Sequence, residues 1–232
     1  MEARDQLYAA LALQPSVKGT EVSLVQDTEV AARGILAWAN AFVGDVEGAR
    51  KEAASAIALA DAGLPPFTRA FAYGAAMWKA LYLNDPTAAS HAAVIARDLS
   101  LERGFDYLAV AGRVVHGWAR AAGGDAGGVQ ETASAISDWR KAGRSIGVPA
   151  FLLVQVRAAL AVGDVQGARN TLADPFLISR LARETWLQTS AARLRFEPER
   201  AAGDIDAAAA ALAESDRLAH EHGALIFASR GT

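Results

Sequence analysis

A two-residue motif, Gly-Asp or Asn-Asp, recurs at nearly constant spacing and constrains the fold of this chain more than any other feature. The copies lie 40, 40, 39 and 40 residues apart and begin at Gly44, Asn84, Gly124, Gly163 and Gly203. A fixed period of roughly 20 to 50 residues is typical of repeat proteins, in which each unit buries its apolar face against the next. The spacing therefore predicts an array of about five similar units.

Each copy of the motif has the chemistry of a helix hairpin. Gly or Asn can adopt the left-handed backbone that ends a helix, and the following Asp can cap the next helix. Pro86 lies at a first helical position, where its missing N–H costs nothing. A second break falls between hairpins, after Gly63, Gly104, Gly147 and Gly223. The segments between breaks are rich in Ala, Leu, Arg and Glu, so we expect helices of roughly 15 to 18 residues and no strand.

Apolar residues in the first helix of each predicted pair recur at i, i+4, i+7 and i+11, which lie on one helix face. Trp38, Trp78 and Trp118 share one position of this stripe, and Arg157 and Glu197 take that position in the fourth and fifth units. We expect the tryptophans to pack in the core in preference to forming a stacking platform for a ligand. The Arg and the Glu should pair with each other, in preference to polarising a groove for a partner.

Together these patterns predict an all-α superhelical solenoid of about five antiparallel helix pairs, with a period of about 40 residues. Residues 1–232 should form one helical-repeat domain, with a short leading helix and loop over 1–27 and repeats from about residue 28. Two prolines interrupt the C-terminal half. Pro175 should shorten the second helix of the fourth unit, and Pro198 predicts a bend or a broken helix, because an interior proline costs about 3 kcal/mol.

The composition argues against several classes of function. A hydrophobic content of 52% supplies a substantial core, whereas a net charge of -3 offers no basic field for nucleic acid or anionic lipid. The chain has no cysteine, which removes disulfides and thiolate metal sites and is compatible with a reducing cytoplasm. No stretch approaches the roughly 20 apolar residues that span a bilayer, and the N-terminus does not resemble a signal peptide. We expect a cytoplasmic protein without a nucleic-acid or membrane partner.

Residues that could carry out chemistry are scattered along the chain. None of the four lysines lies in a phosphate-binding loop sequence, and a hairpin turn explains the glycine-rich run over residues 121–128 better than a phosphate cradle. His220 and His222 form a close pair without a third metal ligand nearby. His116 is one position off the stripe, and we expect it in the core or on a groove wall rather than in a catalytic role. We therefore expect no catalytic residue, no metal and no cofactor.

Short stretches of the chain carry a resemblance to a known family, most clearly from Trp139 and Arg140 through Pro149. The matching stretches are residues 26–28, 37–39, 116–120, 138–143, 149–153, 183–186, 192–194 and 222–224. From about Gln26 to Phe227 the chain resembles the tetratricopeptide-type C-terminal region of bacterial signalling proteins that join a class III adenylate cyclase or a DNA-binding domain to a predicted ATPase. The resemblance implies a protein-interaction or regulatory array, with the chemistry in an upstream ATPase-type or cyclase-type domain.

The chain also departs from this family. It has no cyclase domain, no phosphate-binding loop and no separate DNA-binding domain, and the run Arg195–Pro198 replaces an acidic helix-forming segment. A stand-alone adaptor, a split partner and a fragment of a larger regulator all stay open, as does the oligomeric state.

Two functions fit these observations, and a third is unsupported. The leading hypothesis is a non-catalytic protein-interaction or regulatory scaffold in bacterial signalling or transcriptional control, with a concave surface formed mainly by first helices. The alternative is a small-molecule sensor that holds an apolar ligand between tryptophan-bearing helices. An enzyme would need a cleft with perturbed titratable groups, which the sequence does not indicate. The candidate partner-binding residues are Trp38, Trp78, His116, Trp118, Arg157 and Glu197.

Overall fold

The computed structural model describes residues 2–13 and 27–229, and within these ranges it contains helices and no strand. The all-α prediction is therefore confirmed, as is the short leading helix, while the predicted loop lies mostly outside the described residues. The α-helices are α1 (Glu2–Leu13), α2 (Thr28–Phe42), α3 (Val46–Asp61), α4 (Pro66–Tyr82), α5 (Pro86–Leu101), α6 (Asp106–Ala122), α7 (Gly127–Lys141), α8 (Val148–Ala161), α9 (Val165–Leu172), α10 (Pro175–Leu181), α11 (Thr185–Ala201) and α12 (Ile205–His222), followed by a 3-10 helix (Leu225–Phe227).

The chain divides into two compact units, Met1–Gly112 and Arg113–Thr232, with the boundary inside α6. In the first unit α2 packs against α3, α4 packs against α5, and α2 also contacts α4. In the second unit α8 contacts α7, α9, α10 and α11, and α11 packs against α12. Helices that are neighbours in sequence are thus neighbours in space. The finer predictions, a solenoid and a single domain, stay predictions.

The turns within the hairpins have the predicted backbone. Gly44 has φ of 83°, and Asn84 adopts φ of 55°, a left-handed conformation that Asn tolerates better than most residues. The side chain of Asp45 accepts a hydrogen bond from the backbone N–H of Gly48 at 2.9 Å. Equivalent caps follow three of the other turns, where Asp85, Asp164 and Asp204 each accept from the backbone N–H three residues further on. The predicted cap is therefore confirmed at four of the five hairpins. At the fifth, Asp125 accepts from the N–H of Gly127, and α7 begins at Gly127 without a side-chain cap.

Small side chains let the helices of the first unit approach closely. Ala49, Ala56 and Ala60 of α3 are fully buried. A Cβ atom on Gly34 of α2 would lie 3.0 Å from the Cβ atom of Ala75 on α4. Interiors are packed at the density of organic crystals, so such positions restrict side-chain size.

In the second unit α8 is the central helix. Ten of its fourteen residues are buried, from Val148 through Ala159. A helix that is apolar on nearly all sides is surrounded by other elements, which agrees with the four helices that α8 contacts. The fully buried side chains of Phe151 and Val156 lie in this core.

The predictions for Pro175 and Pro198 have different outcomes. Pro175 shortens the fourth pair as predicted: α9 ends at Leu172, and Asp174 caps α10, which begins at Pro175. Of the two outcomes predicted at Pro198, a broken helix is wrong, because α11 continues through it to Ala201, and a bend stays a prediction. Pro198 lies in the last turn, so the helix loses one backbone hydrogen bond near its end, and the Pro198 carbonyl still accepts from the N–H of Ala202 at 3.1 Å.

Candidate functional site

A cavity of about 410 Å³ lies between α2, α4 and the start of α6 in the first unit. Its walls are largely aromatic, and we call it the aromatic pocket. One aromatic side chain comes from α2, three come from α4 and two come from the segment that begins α6. They are Trp38, Phe67, Phe71, Trp78, Phe105 and Tyr107.

The α4 residues share one face because of their spacing. Phe67, Phe71, Gly74 and Trp78 stand at i, i+4, i+7 and i+11, which align along a helix. Gly74 lies where α4 meets the first turn of α6, and a Cβ atom there would be 3.1 Å from Cδ2 of Leu108. The absence of a side chain at Gly74 therefore lets these two segments approach each other beside the pocket.

Trp38 is held in one orientation by a hydrogen bond. Its indole Nε1–H donates to the backbone carbonyl oxygen of Ala75 at 2.8 Å. The side chain is half-buried. Because the N–H group is engaged by the protein, Trp38 offers the pocket mainly its ring carbons.

The other rings support one another. Phe67 and Phe105 meet edge to face with their centroids 5.0 Å apart. Trp78 stacks on Tyr82 at 6.2 Å, and Tyr82 contacts Phe42 at 4.7 Å. Such pairs contribute about 0.5 to 1.5 kcal/mol each beyond the burial of their area. The pocket walls are therefore fixed by contacts that do not require a ligand.

The charged side chain that lines the aromatic pocket is negative. Asp106 is the charged residue among the described residues that line it, and its side chain is exposed at the first position of α6, where the helix dipole favours an acid. Burial raises the pKa of the Tyr107 hydroxyl above its ordinary value, so this group adds no charge to the pocket. Aromatic faces carry partial negative charge. The pocket thus combines apolar walls with a negative rim.

The three tryptophans that the sequence predicts to be equivalent differ in burial. Trp118 is 2% exposed and Trp78 is 7% exposed, so both pack in the core as expected. Trp78 also reaches the aromatic pocket, and Trp38 is half-buried beside it. Trp118 belongs to the second unit and is not among the residues that line the pocket. A shared position in the predicted repeat therefore did not produce the same surroundings.

His116 belongs to a polar network between α6 and α7. Its Nδ1 atom lies 2.9 Å from Oε1 of Glu131, and Arg120 donates to Oε2 of the same carboxylate at 2.6 Å. Arg120 also pairs with Asp125 at the turn. Burial alone would raise the pKa of Glu131, but the hydrogen bonds from His116 and Arg120 outweigh it and hold that pKa below its ordinary value. These contacts link α6 to α7.

Arg157 and Glu197 both lie in the second unit. Arg157 is half-buried on α8, whereas Glu197 is exposed on α11 and pairs with Arg200 at 2.9 Å. Glu197 is therefore already engaged within its own helix. Its pairing with Arg157 stays a prediction.

A second cavity, of about 420 Å³, lies between α7, α8 and the α9–α10 segment. Its most prominent charged pair is Arg140 and Asp174, joined at 3.1 Å. Asp174 also caps α10, and the guanidinium of Arg140 lies over the ring of Phe176 at 5.7 Å. These groups already serve the structure, so this cavity is the weaker candidate.

Within residues 2–13 and 27–229, no group of three or more His, Asp or Glu side chains is placed to hold a metal ion. In the same ranges no helix has both the length and the apolar character needed to cross a bilayer.

Eight of the ten described residues that line the pocket were not singled out as candidate site residues from the sequence. Four of these eight are Phe67, Phe105, Asp106 and Tyr107. They fall at the breaks between hairpins, where an aromatic residue follows Gly63 and Gly104 within four positions. This recurrence of glycine and aromatic residues could have identified them, since such breaks bring successive first helices together.

No family model matches the chain, and no curated protein matches it either. The resemblance to the C-terminal region of bacterial cyclase and ATPase signalling proteins therefore stays a prediction.

Proposed function

We propose that this chain is a non-catalytic protein-interaction module of bacterial signalling or transcriptional control, built as a tetratricopeptide-like solenoid and working in the cytoplasm. The observation that carries the proposal is the aromatic pocket in the first unit. The hairpin turns at a 40-residue period support the solenoid, and the sequence resemblance supports the regulatory setting.

The pocket suits the anchoring of a partner's side chain. Binding energy at protein interfaces concentrates in a few residues that fill well-packed pockets, and aromatic residues and arginine dominate these positions. A volume of about 410 Å³ lies near the lower end of the range for ligand sites and holds one large side chain. The rigid walls lower the entropic cost of binding.

A small-molecule sensor is the second candidate, because Trp38 and Trp78 both line one cavity. The burial of Trp118 in the second unit favours the interaction module, since a sensor built on all three tryptophans would need each of them at the ligand. The two functions differ in what the purified chain retains, a protein or a small molecule.

Affinity capture from a lysate of the source organism tests the proposal. Tagged wild-type chain is compared with Trp38→Ala and Tyr107→Ala, which open the pocket. Trp186→Ala is the matched control, because Trp186 is 47% exposed on α11 and does not line the pocket. Circular dichroism first establishes that each variant is folded.

We expect a protein that the wild type and Trp186→Ala enrich equally and that both pocket variants enrich roughly tenfold less, as for an interface hot spot. Equal enrichment by all four chains, or no enriched protein, would contradict the proposal. A small molecule that native mass spectrometry finds on the wild type and not on the pocket variants would favour the sensor instead.

A further inference from the structure

We infer that the group recognised by the aromatic pocket is a cation, namely an arginine side chain on the partner, held against the ring faces and paired with Asp106. This inference rests on the proposed function, because it names the chemistry of the partner at the same site.

The aromatic pocket offers ring surface that suits a cation. A guanidinium within about 6 Å of a ring centroid is attracted by the negative face of the ring, and tryptophan is the strongest such partner. The indole N–H of Trp38 is engaged by the Ala75 carbonyl oxygen, so the remaining surface of that ring is apolar. Phe71 and Trp78 add further ring surface to the same cavity.

The charge at the aromatic pocket also favours a cation. Asp106 places a carboxylate among the described lining residues, and Lys and Arg are not found among them. A carboxylate there attracts a cation and repels an anion. A purely apolar occupant would gain nothing from the charge of Asp106.

Arginine meets both requirements better than lysine does. Its planar guanidinium stacks on an aromatic ring and can donate two parallel hydrogen bonds to one carboxylate. The second unit contains the stacking contact already, since the guanidinium of Arg144 lies 4.6 Å from the ring centroid of Trp139. A similar contact joins Arg193 and Phe196 at 5.4 Å.

The test uses short peptides and nuclear magnetic resonance of the five tryptophan indole N–H signals. The probes are acetyl-Gly-Arg-Gly-amide, its citrulline counterpart, which has nearly the same shape without the charge, and acetyl-Gly-Leu-Gly-amide. The protein is the full chain, its Asp106→Asn variant and an Asp206→Asn control. Asp206 is also an exposed acid in the first turn of a helix, α12, and it does not line the pocket.

We expect the arginine peptide to shift the Trp38 and Trp78 signals and to bind roughly fivefold more tightly than the citrulline peptide. Asp106→Asn should remove most of that difference, whereas Asp206→Asn should preserve it. Equal binding of the arginine, citrulline and leucine peptides would overturn the cation inference and leave an apolar anchoring pocket, as the proposed function requires. If no peptide shifts either signal, the inference is wrong. The affinity-capture experiment tests the proposed function independently of this result.

Discussion

Replacing Gly128 by alanine should weaken the hairpin of α6 and α7. A Cβ atom at this position would lie 2.2 Å from the backbone oxygen of Gly117 and 2.6 Å from the backbone nitrogen of Ala121. Both atoms belong to α6, so neither can move without its helix. The contact is reciprocal, because a Cβ atom on Gly117 would lie 2.7 Å from the oxygen of Gly128.

The expected magnitude follows from two opposing effects. Forcing an extra methyl group into a packed contact costs about 1 to 3 kcal/mol, and this case lies at the upper end because the clashing atoms are backbone. Alanine regains at most about 1 kcal/mol over glycine in a helix. We expect a net loss of about 2 kcal/mol in the free energy of unfolding, or a decrease of roughly 4 to 8 °C in Tm for a chain of this size.

Urea denaturation followed by circular dichroism measures this loss, and Gly127→Ala is the matched control. A Cβ atom on Gly127 would meet the ends of the Asp125 and Arg120 side chains at 3.0 and 3.1 Å, which can move aside. We expect Gly127→Ala to change stability by less than about 0.5 kcal/mol. If Gly128→Ala is as stable as this control, the close approach of α6 and α7 is not what requires glycine there.

Three further predictions concern stability and use the same denaturation assay. Arg33→Met should cost about 2 kcal/mol, because it leaves the buried carboxylate of Glu52 without the partner now at 2.8 Å, and adding Glu52→Leu should restore most of the loss. Asp204→Ala should cost about 1 kcal/mol through the lost cap of α12, and Asp204→Asn should cost less. The pKa of Glu131 lies below its ordinary 4.5, so the stability contributed by its carboxylate is complete above pH 4.5 and is lost as the pH falls through the folded pKa. Glu131→Gln should therefore be less stable than the wild type at pH 7, with a gap that narrows below pH 4.5, and a gap independent of pH would contradict the prediction.

Features that depend on a few consecutive residues could be predicted from the sequence. The turn at Gly44 and Asp45 is one, since a left-handed residue and a capping carboxylate act within four positions. The interruption at Pro175 is another, because the missing N–H and the ring act within one helical turn. The effect of Pro198 could not be predicted in this way. A proline is tolerated there because it lies in the last turn of α11, and the local sequence did not determine where that helix ends.

The aromatic pocket required the tertiary structure. Its walls come from Trp38, from α4 and from the segment that ends at Leu108, and positions 38 and 108 are 70 residues apart in sequence. The repeat predicted that the three tryptophans are equivalent, yet Trp38 is half-buried and Trp118 is 2% exposed. A repeat period determines which helix face a residue occupies, whereas the exposure of that face depends on side chains from distant segments. The sequence by itself therefore determined the helices and their turns, and only the packing of those helices decided where a cavity is left.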